Sequence, residues 1–277
     1  MFPSSIVLRS MPRNTLATLV PTARRRFFSS SLATVIVATM SLVPAYGGDK
    51  HSGISIEFIE CVESIGVTLL PTSQVEALVP SEFHVVGEGQ PLTPIVVRSA
   101  NCRISVDGYR ARTGTVVQIG AVIVPPDFTG DINNYTLWYY TSDAKLAQQL
   151  KQLGIKAQHV PTIEFGQIPS GNDGLDSFHV AVPRPGRPAL SLDGEVVPSG
   201  MPAGTFTANW WVATDRGTVK MQTFVPEILI GGADIVLTAE ANSPLSDLIG
   251  GQTLSFPILQ QFNVFETALM DVSILAP

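Results

Sequence analysis

Between Ile54 and Leu275 only one stretch has the spacing of a clear amphipathic helix. Almost every other apolar run alternates with polar residues or is cut short by Gly or Pro. The helix is predicted over Asp143–Leu153, capped by Thr141 or Ser142, with Leu146, Ala147, Leu150 and Leu153 as its apolar stripe and Gly154 at its stop. Strands precede it and strands follow it, and the chain lacks the strand–helix–strand alternation of a parallel sheet. That order predicts a mainly β fold with a few helices, an antiparallel barrel or sandwich. The turn-formers agree. Gly (23) and Pro (21) are spread along the chain, as many short strands require.

The strand series can be followed in detail. Ile54–Leu70 is extended and leads into a short helix, Gln74–Leu78, opened by Pro71-Thr72-Ser73 and ended by Pro80. Ile95–Val97, Cys102–Val106 and Thr115–Val124 read as strands, with a turn at Asp107-Gly108 and a stop at Pro125-Pro126. Tyr135–Tyr140 is a strand with aromatic residues on both faces: Tyr135, Leu137 and Tyr139 share one, and Thr136, Trp138 and Tyr140 the other. Residues 166–204 read as loops broken by a short strand near Phe178–Val182. Phe206–Thr214, Val219–Val225 and Ile228–Glu240 are strands, and Ser243-Pro244 opens a one-turn helix through Leu248. The tail after Leu254 fits a strand or a helix, and strands are preferred.

The amino terminus is different in kind. Before Asp49 stand five arginines and no acidic residue. Arg24-Arg25-Arg26-Phe27-Phe28 precedes an uncharged stretch centred on Leu32–Val43, then Ala45-Tyr46-Gly47, a small-x-small site. Residues 1–47 are therefore read as an export signal, with twin-arginine character in Arg24-Arg25. The alternative is a mitochondrial presequence, which residues 1–31 also fit. The apolar part is short and rich in Ser and Thr, so no stable membrane span is expected after processing. Residues 48–277 then form one domain.

Composition excludes some classes. With 45% hydrophobic and 14% charged residues the chain is globular. Its net charge of −6 becomes more negative once the leading arginines are lost, which argues against nucleic acid as a partner. The four histidines, at 51, 84, 159 and 179, have no ligand partner at helical or hairpin spacing, so no metal is expected. Ser170–Asp176 resembles a calcium loop but lacks the regular Asp frame and the closing Glu, and is read as a solvated turn. No cofactor motif is present, and the sequence does not set the oligomeric state. Cys61 and Cys102 either close one disulfide, stabilising by about 4 kcal/mol in the chain-entropy model, or remain two buried thiols.

A small-molecule ligand is the expected partner. Tyr135, Trp138, Tyr139 and Trp211 carry rings with polar tips of the kind that line ligand sites inside barrels, although the same residues would also serve as core. Lys151, at the margin of the helical stripe, is the candidate nucleophile. Desolvated against aromatic walls, it would lose its proton more readily and could form an imine. Solvated, it is an ordinary helix lysine.

Three patches together resemble the acetoacetate decarboxylase superfamily. Leu70–Phe83 is similar to that family's early strand and short helix. Leu150-Lys-Gln-Leu-Gly154 is similar to the Pro-Lys-Lys-Leu-Gly run that carries its Schiff-base lysine. Ser243-Pro-Leu-Ser-Asp-Leu248 is similar to its late Pro-Leu-x-x-Leu turn. The resemblance implies a closed, cone-like antiparallel barrel around a substrate cavity. It also implies binding of a small organic acid or ketone, with lyase chemistry through Lys151 or binding without catalysis. The family pairs two lysines, whereas here Gln152 follows Lys151, and no Glu lies between Glu88 and Glu164, where the family places its cavity glutamates.

Overall fold

The computed structural model describes residues 53–170, 174–184, 187–198 and 200–275, with residues 187 and 188 described in backbone only. The segment 1–47, His51 and residues 171–173 of the calcium-like turn lie outside the described residues.

Alternating apolar side chains with turn-formers between them produce strands, and their pairing closes a barrel. β1 (Ile54–Pro71) runs into the short helix α1 (Thr72–Glu76). Three strands follow in meander: β2 (Leu92–Val106), β3 (Arg112–Val122) and β4 (Ile132–Thr141). Where two short strands are expected, β2 is continuous. The polar Arg98–Asn101 between them still pairs fully with β1 and β3. Next come helix α2 (Ala144–Gln152) and the short β5 (Ala157–His159), which pairs with β4.

The region expected to be loop-rich forms two hairpin connections instead. β6 (Glu164–Pro169), β7 (Asp176–Arg184) and β8 (Arg187–Val196) pair in order. Pro169 and Pro188 sit near strand ends and Pro183 at an irregularity, where a lost donor is tolerated, while Gly166 and Gly194 pair within the ladders. The remaining strands are β9 (Met201–Pro202), β10 (Phe206–Thr214), β11 (Gly217–Val225) and β12 (Leu229–Ala239). Helix α3 (Pro244–Leu248), β13 (Thr253–Ser255) and the long β14 (Leu259–Leu275) complete the chain.

Seven strands close in the order β1-β2-β3-β4-β10-β11-β14, and β14 returns to β1. Every junction is antiparallel except β4–β10, which is parallel. β12 leaves this barrel halfway along. Its first residues pair with β14 and its later ones with β8, so it carries the chain into a second sheet, β12-β8-β7-β6. That sheet covers the outside of the barrel. Phe178, Val180, Leu192 and Leu237 pack with the outward-facing Val97, Val117, Ile119 and Phe262.

α2 closes one end of the barrel. The Asp143 carboxylate accepts a hydrogen bond from the Leu146 amide at 2.7 Å, so Asp143, not Thr141 or Ser142, is the cap. Leu146, Leu150, Leu153 and Ile155 then enter one cluster with Ile56, Phe58, Ile104, Val106 and Val219. This half of the interior is solid. In the same cluster Cys61 and Cys102 are joined as a disulfide across β1 and β2. Among the described residues no helix is long and apolar enough to cross a membrane.

Candidate functional site

Beyond the α2 half, the barrel is hollow. A cavity of about 360 Å³ is walled by Ile65, Val67, Val96, Phe206, Trp210, Val225 and Phe265. Ala203 and Thr205 at its rim are exposed, while Glu63, Arg98, Asn134 and Asn263 lie buried deeper in. Its volume and mostly apolar wall, with a few convergent polar groups, are those of small-molecule sites.

Two bulges decide what faces this cavity. In β1, Glu60 has φ 53°, and the two residues 60 and 61 stand opposite one residue of β2. Ile56 and Phe58 point inward before this bulge. After it the odd-numbered residues do, so Glu63, Ile65 and Val67 line the cavity. In β4 the register slips opposite Ile119 and Gly120, leaving Leu137 as the extra residue. Tyr139 therefore faces the barrel core, while Tyr135, expected on the same face, turns outward. Gly120 is required here. A Cβ at this position would lie 2.6 Å from the Trp210 ring and from the Tyr135 carbonyl oxygen, and the Trp210 indole takes that space.

The polar floor is a connected network. Arg98 donates from Nε to Glu63 and from Nη1 to Gln118 Oε1 at 2.7 Å. Asn263 donates to the other Glu63 oxygen at 3.2 Å. These Arg98 contacts run from Nε and Nη1, which leaves Nη2 as its remaining donor nitrogen. Asn134 Oδ1 and Asn263 Oδ1 are buried without a protein partner among the described residues. Burial raises the Tyr139 phenol well above its ordinary value, and Arg98 offsets this only in part. Tyr139 thus stays neutral. The cavity floor holds one positive and one negative charge, with zero net.

The sequence-derived candidates fall elsewhere. Lys151 lies on the exposed face of α2, outside the cavity, facing a surface hollow with Gln152, Thr214 and Arg216. It has none of the desolvation that an imine-forming lysine needs. Its charge instead sits in the last helical turn, where it complements the helix dipole. No lysine lines the cavity among the described residues. Trp211 is fully buried on the outer side of the barrel wall, packed beneath α1, and donates to Asn133 Oδ1 at 2.8 Å. Its neighbour Trp210 faces the cavity instead. Tyr135 stacks on Phe83 with ring centroids 4.9 Å apart, also outside. Tyr135, Trp138 and Tyr139 line a second hollow, a slot in the barrel wall that shares no residue with the cavity. Among the described residues no group of three or more His, Cys, Asp or Glu is placed to hold a metal.

Glu63, Arg98, Trp210 and Asn263 were not singled out from sequence. Arg98 did leave a trace, as a charge in phase with Val96, Ala100, Cys102 and Ile104 on an otherwise apolar face. Glu63 left none, because its inward direction depends on the bulge at Glu60.

The molecule is thus a closed seven-stranded barrel, half filled and half hollow, with an added sheet on its flank. Several solved structures share this fold. One is MppR, an enduracididine biosynthesis enzyme, seen with HEPES buffer bound. It is 13% identical with a TM-score of 0.52, over 80% of this chain and 85% of that one. MppR is also seen with the condensation product of pyruvate and imidazole 4-carboxaldehyde. Another is an acetoacetate decarboxylase-like enzyme from Sphingomonas wittichii RW1, 12% identical, TM-score 0.51, over 86% of this chain and 96% of that one. Acetoacetate decarboxylase itself matches at 10% identity and TM-score 0.50, over 79% and 88%. The chain has the acetoacetate decarboxylase-like fold, and its structural neighbours include enzymes. No family model matches the sequence, and no curated protein matches it.

Proposed function

We propose that the protein binds a small, largely apolar ketone or similar carbonyl compound in the barrel cavity, without forming an imine. One observation carries this reading: an apolar cavity whose floor is a buried, internally neutral Glu63–Arg98 pair with one guanidinium nitrogen, Nη2, remaining as a donor. A neutral carbonyl oxygen can accept from that nitrogen at no cost in net charge. A carboxylate would add a third buried charge, attracted by Arg98 but repelled by Glu63, and would lose its hydration as well. The ketone is therefore favoured over the organic acid. Among the described residues no amine lines the cavity to begin lyase chemistry through a Schiff base.

Calorimetric titration with a medium-chain methyl ketone and with the fatty acid of equal length tests this. The ketone is expected to bind, the acid to bind more weakly, and the Trp210 indole N–H resonance to move on addition of the ketone. A tighter-binding acid, or a ketone that leaves Trp210 unmoved, refutes the reading.

We also propose export, and not the mitochondrial matrix, as its destination. The Cys61–Cys102 disulfide supports this, since such bonds persist in oxidising compartments. The mature amino terminus decides between them: Gly48 for export, Ser29 for the mitochondrion.

A further inference from the structure

β4 and β10 pair only from Ile132–Ala208 to Tyr135–Trp211. Past that point the bulge at Leu137 turns β4 toward β5, while β10 continues beside β11 alone. The wall opens into a slot of about 350 Å³ between Thr136–Tyr139 and Val212–Ala213, crossed by Ile155 and Lys156. The facing strand edges make no ladder with each other there. Thr136 lines the slot, and its buried Oγ1 has no partner among the described residues. An orphan hydroxyl of this kind calls for a water or a ligand.

The electrostatics add a second constraint. Lys156 is exposed at the slot and also borders the adjoining surface hollow, which carries Lys151 and Arg216 against the single acid Asp215. Arg216 is held in place by donating to the Gln152 carbonyl at 2.6 Å. Lys156 thus lines the slot itself, with Lys151 and Arg216 in the hollow beside it, on a chain whose net charge is −6. Trp138 supplies an aromatic wall, with Tyr135 and Tyr139 beside it.

We propose that this slot is a second ligand site, taking a small planar aromatic carboxylate. The acid group meets Lys156, the ring lies along Trp138, and a polar ring substituent bonds to Thr136. The proposal is independent of the barrel cavity, and the three tryptophans make the two sites separable. Trp138 reports the slot, Trp210 the cavity and Trp211 the packing under α1.

The test is titration of 6-hydroxy-2-naphthoate into the uniformly ¹⁵N-labelled protein, with indole resonances assigned by single Trp→Phe variants. The Trp138 N–H is expected to move in a saturable way while Trp210 stays still. The neutral amide of the probe, and Lys156→Gln with the acid, should each bind about tenfold more weakly, the loss of one charge-assisted contact. Thr136→Val should weaken the hydroxylated probe several-fold and leave 2-naphthoate unchanged. Movement of Trp210 in place of Trp138, equal binding of acid and amide, or no saturable shift in the millimolar range would each overturn the proposal.

Discussion

Removing either member of the Glu63–Arg98 pair should damage the protein far more than removing both. The two side chains are 6% and 10% exposed, so solvent screens neither well. Arg98→Met leaves the Glu63 carboxylate with only the Asn263 amide, and strands Gln118 Oε1. Glu63→Gln leaves the guanidinium uncompensated. Breaking a buried pair in this way costs about 3–5 kcal/mol. At about 2–4 °C per kcal/mol for a domain of this size, each single variant should melt roughly 6–20 °C lower. Glu63→Leu with Arg98→Met removes both charges and leaves two neutral amides short of partners. Two orphaned amides cost about 2–6 kcal/mol, of which removing the buried pair returns about 1–4 kcal/mol, a net loss of about 1–2 kcal/mol. Additive losses would instead sum to roughly 6–10 kcal/mol, enough to unfold a typical domain. Equilibrium urea unfolding measures the three, provided the m-value holds constant. Single variants that lose under about 1 kcal/mol would mean a solvent-screened pair, and a double variant as unstable as the sum would mean no coupling. Either result refutes the neutral-floor reasoning.

Other expectations follow from the same coordinates. Replacing Cys61 and Cys102 together by Ala should cost about 4 kcal/mol by chain entropy, measured by denaturant unfolding. Gly120→Val should drive the Trp210 ring into the cavity, destabilising by about 1–3 kcal/mol and abolishing ketone binding. Borohydride with a β-keto acid should leave Lys151 unlabelled by intact mass, and Lys151→Ala should bind the ketone as the wild type does. His179 is raised above its ordinary 6.5 mainly by its hydrogen bond to Asp193, with Glu164 adding and burial opposing. A raised folded-state value stabilises fully below the ordinary value and is lost as pH climbs through the folded one. Stability should therefore decline over that window, only slightly because the ring is half exposed, and His179→Gln should flatten the slope.

The fold was largely legible in the sequence, and the site was not, for reasons that trace to particular residues. Alternation and turn chemistry mark β1, β3, β4, β10, β11, β12 and α2 with small errors at the ends. The hairpins of β6, β7 and β8 were hidden because Gly166, Asp193 and Gly194, residues that look like loop, pair inside their strands. The site depends on direction within strands. A single extra residue inverts that direction, and the bulges at Glu60 and Leu137 each did so. Counting by twos from Tyr139 to Tyr135 therefore put both on one face. The same counting from Ile56 left Glu63 outside. Trp210 and Trp211 point oppositely, as expected of neighbours on a strand, but only Gly120 opposite them settles which one enters the barrel. Lys151 is marked in the sequence by its place at the margin of the α2 stripe and by a resemblance in a five-residue run. The helical turn that carries it faces solvent.

A crystal soaked with the medium-chain methyl ketone reads the barrel cavity directly. The carbonyl oxygen should lie within hydrogen-bonding distance of the Arg98 guanidinium, with the chain between Phe206, Trp210 and Phe265. Ordered water alone on Glu63, Asn134 and Asn263, or side chains filling the space with no ketone present, would contradict it.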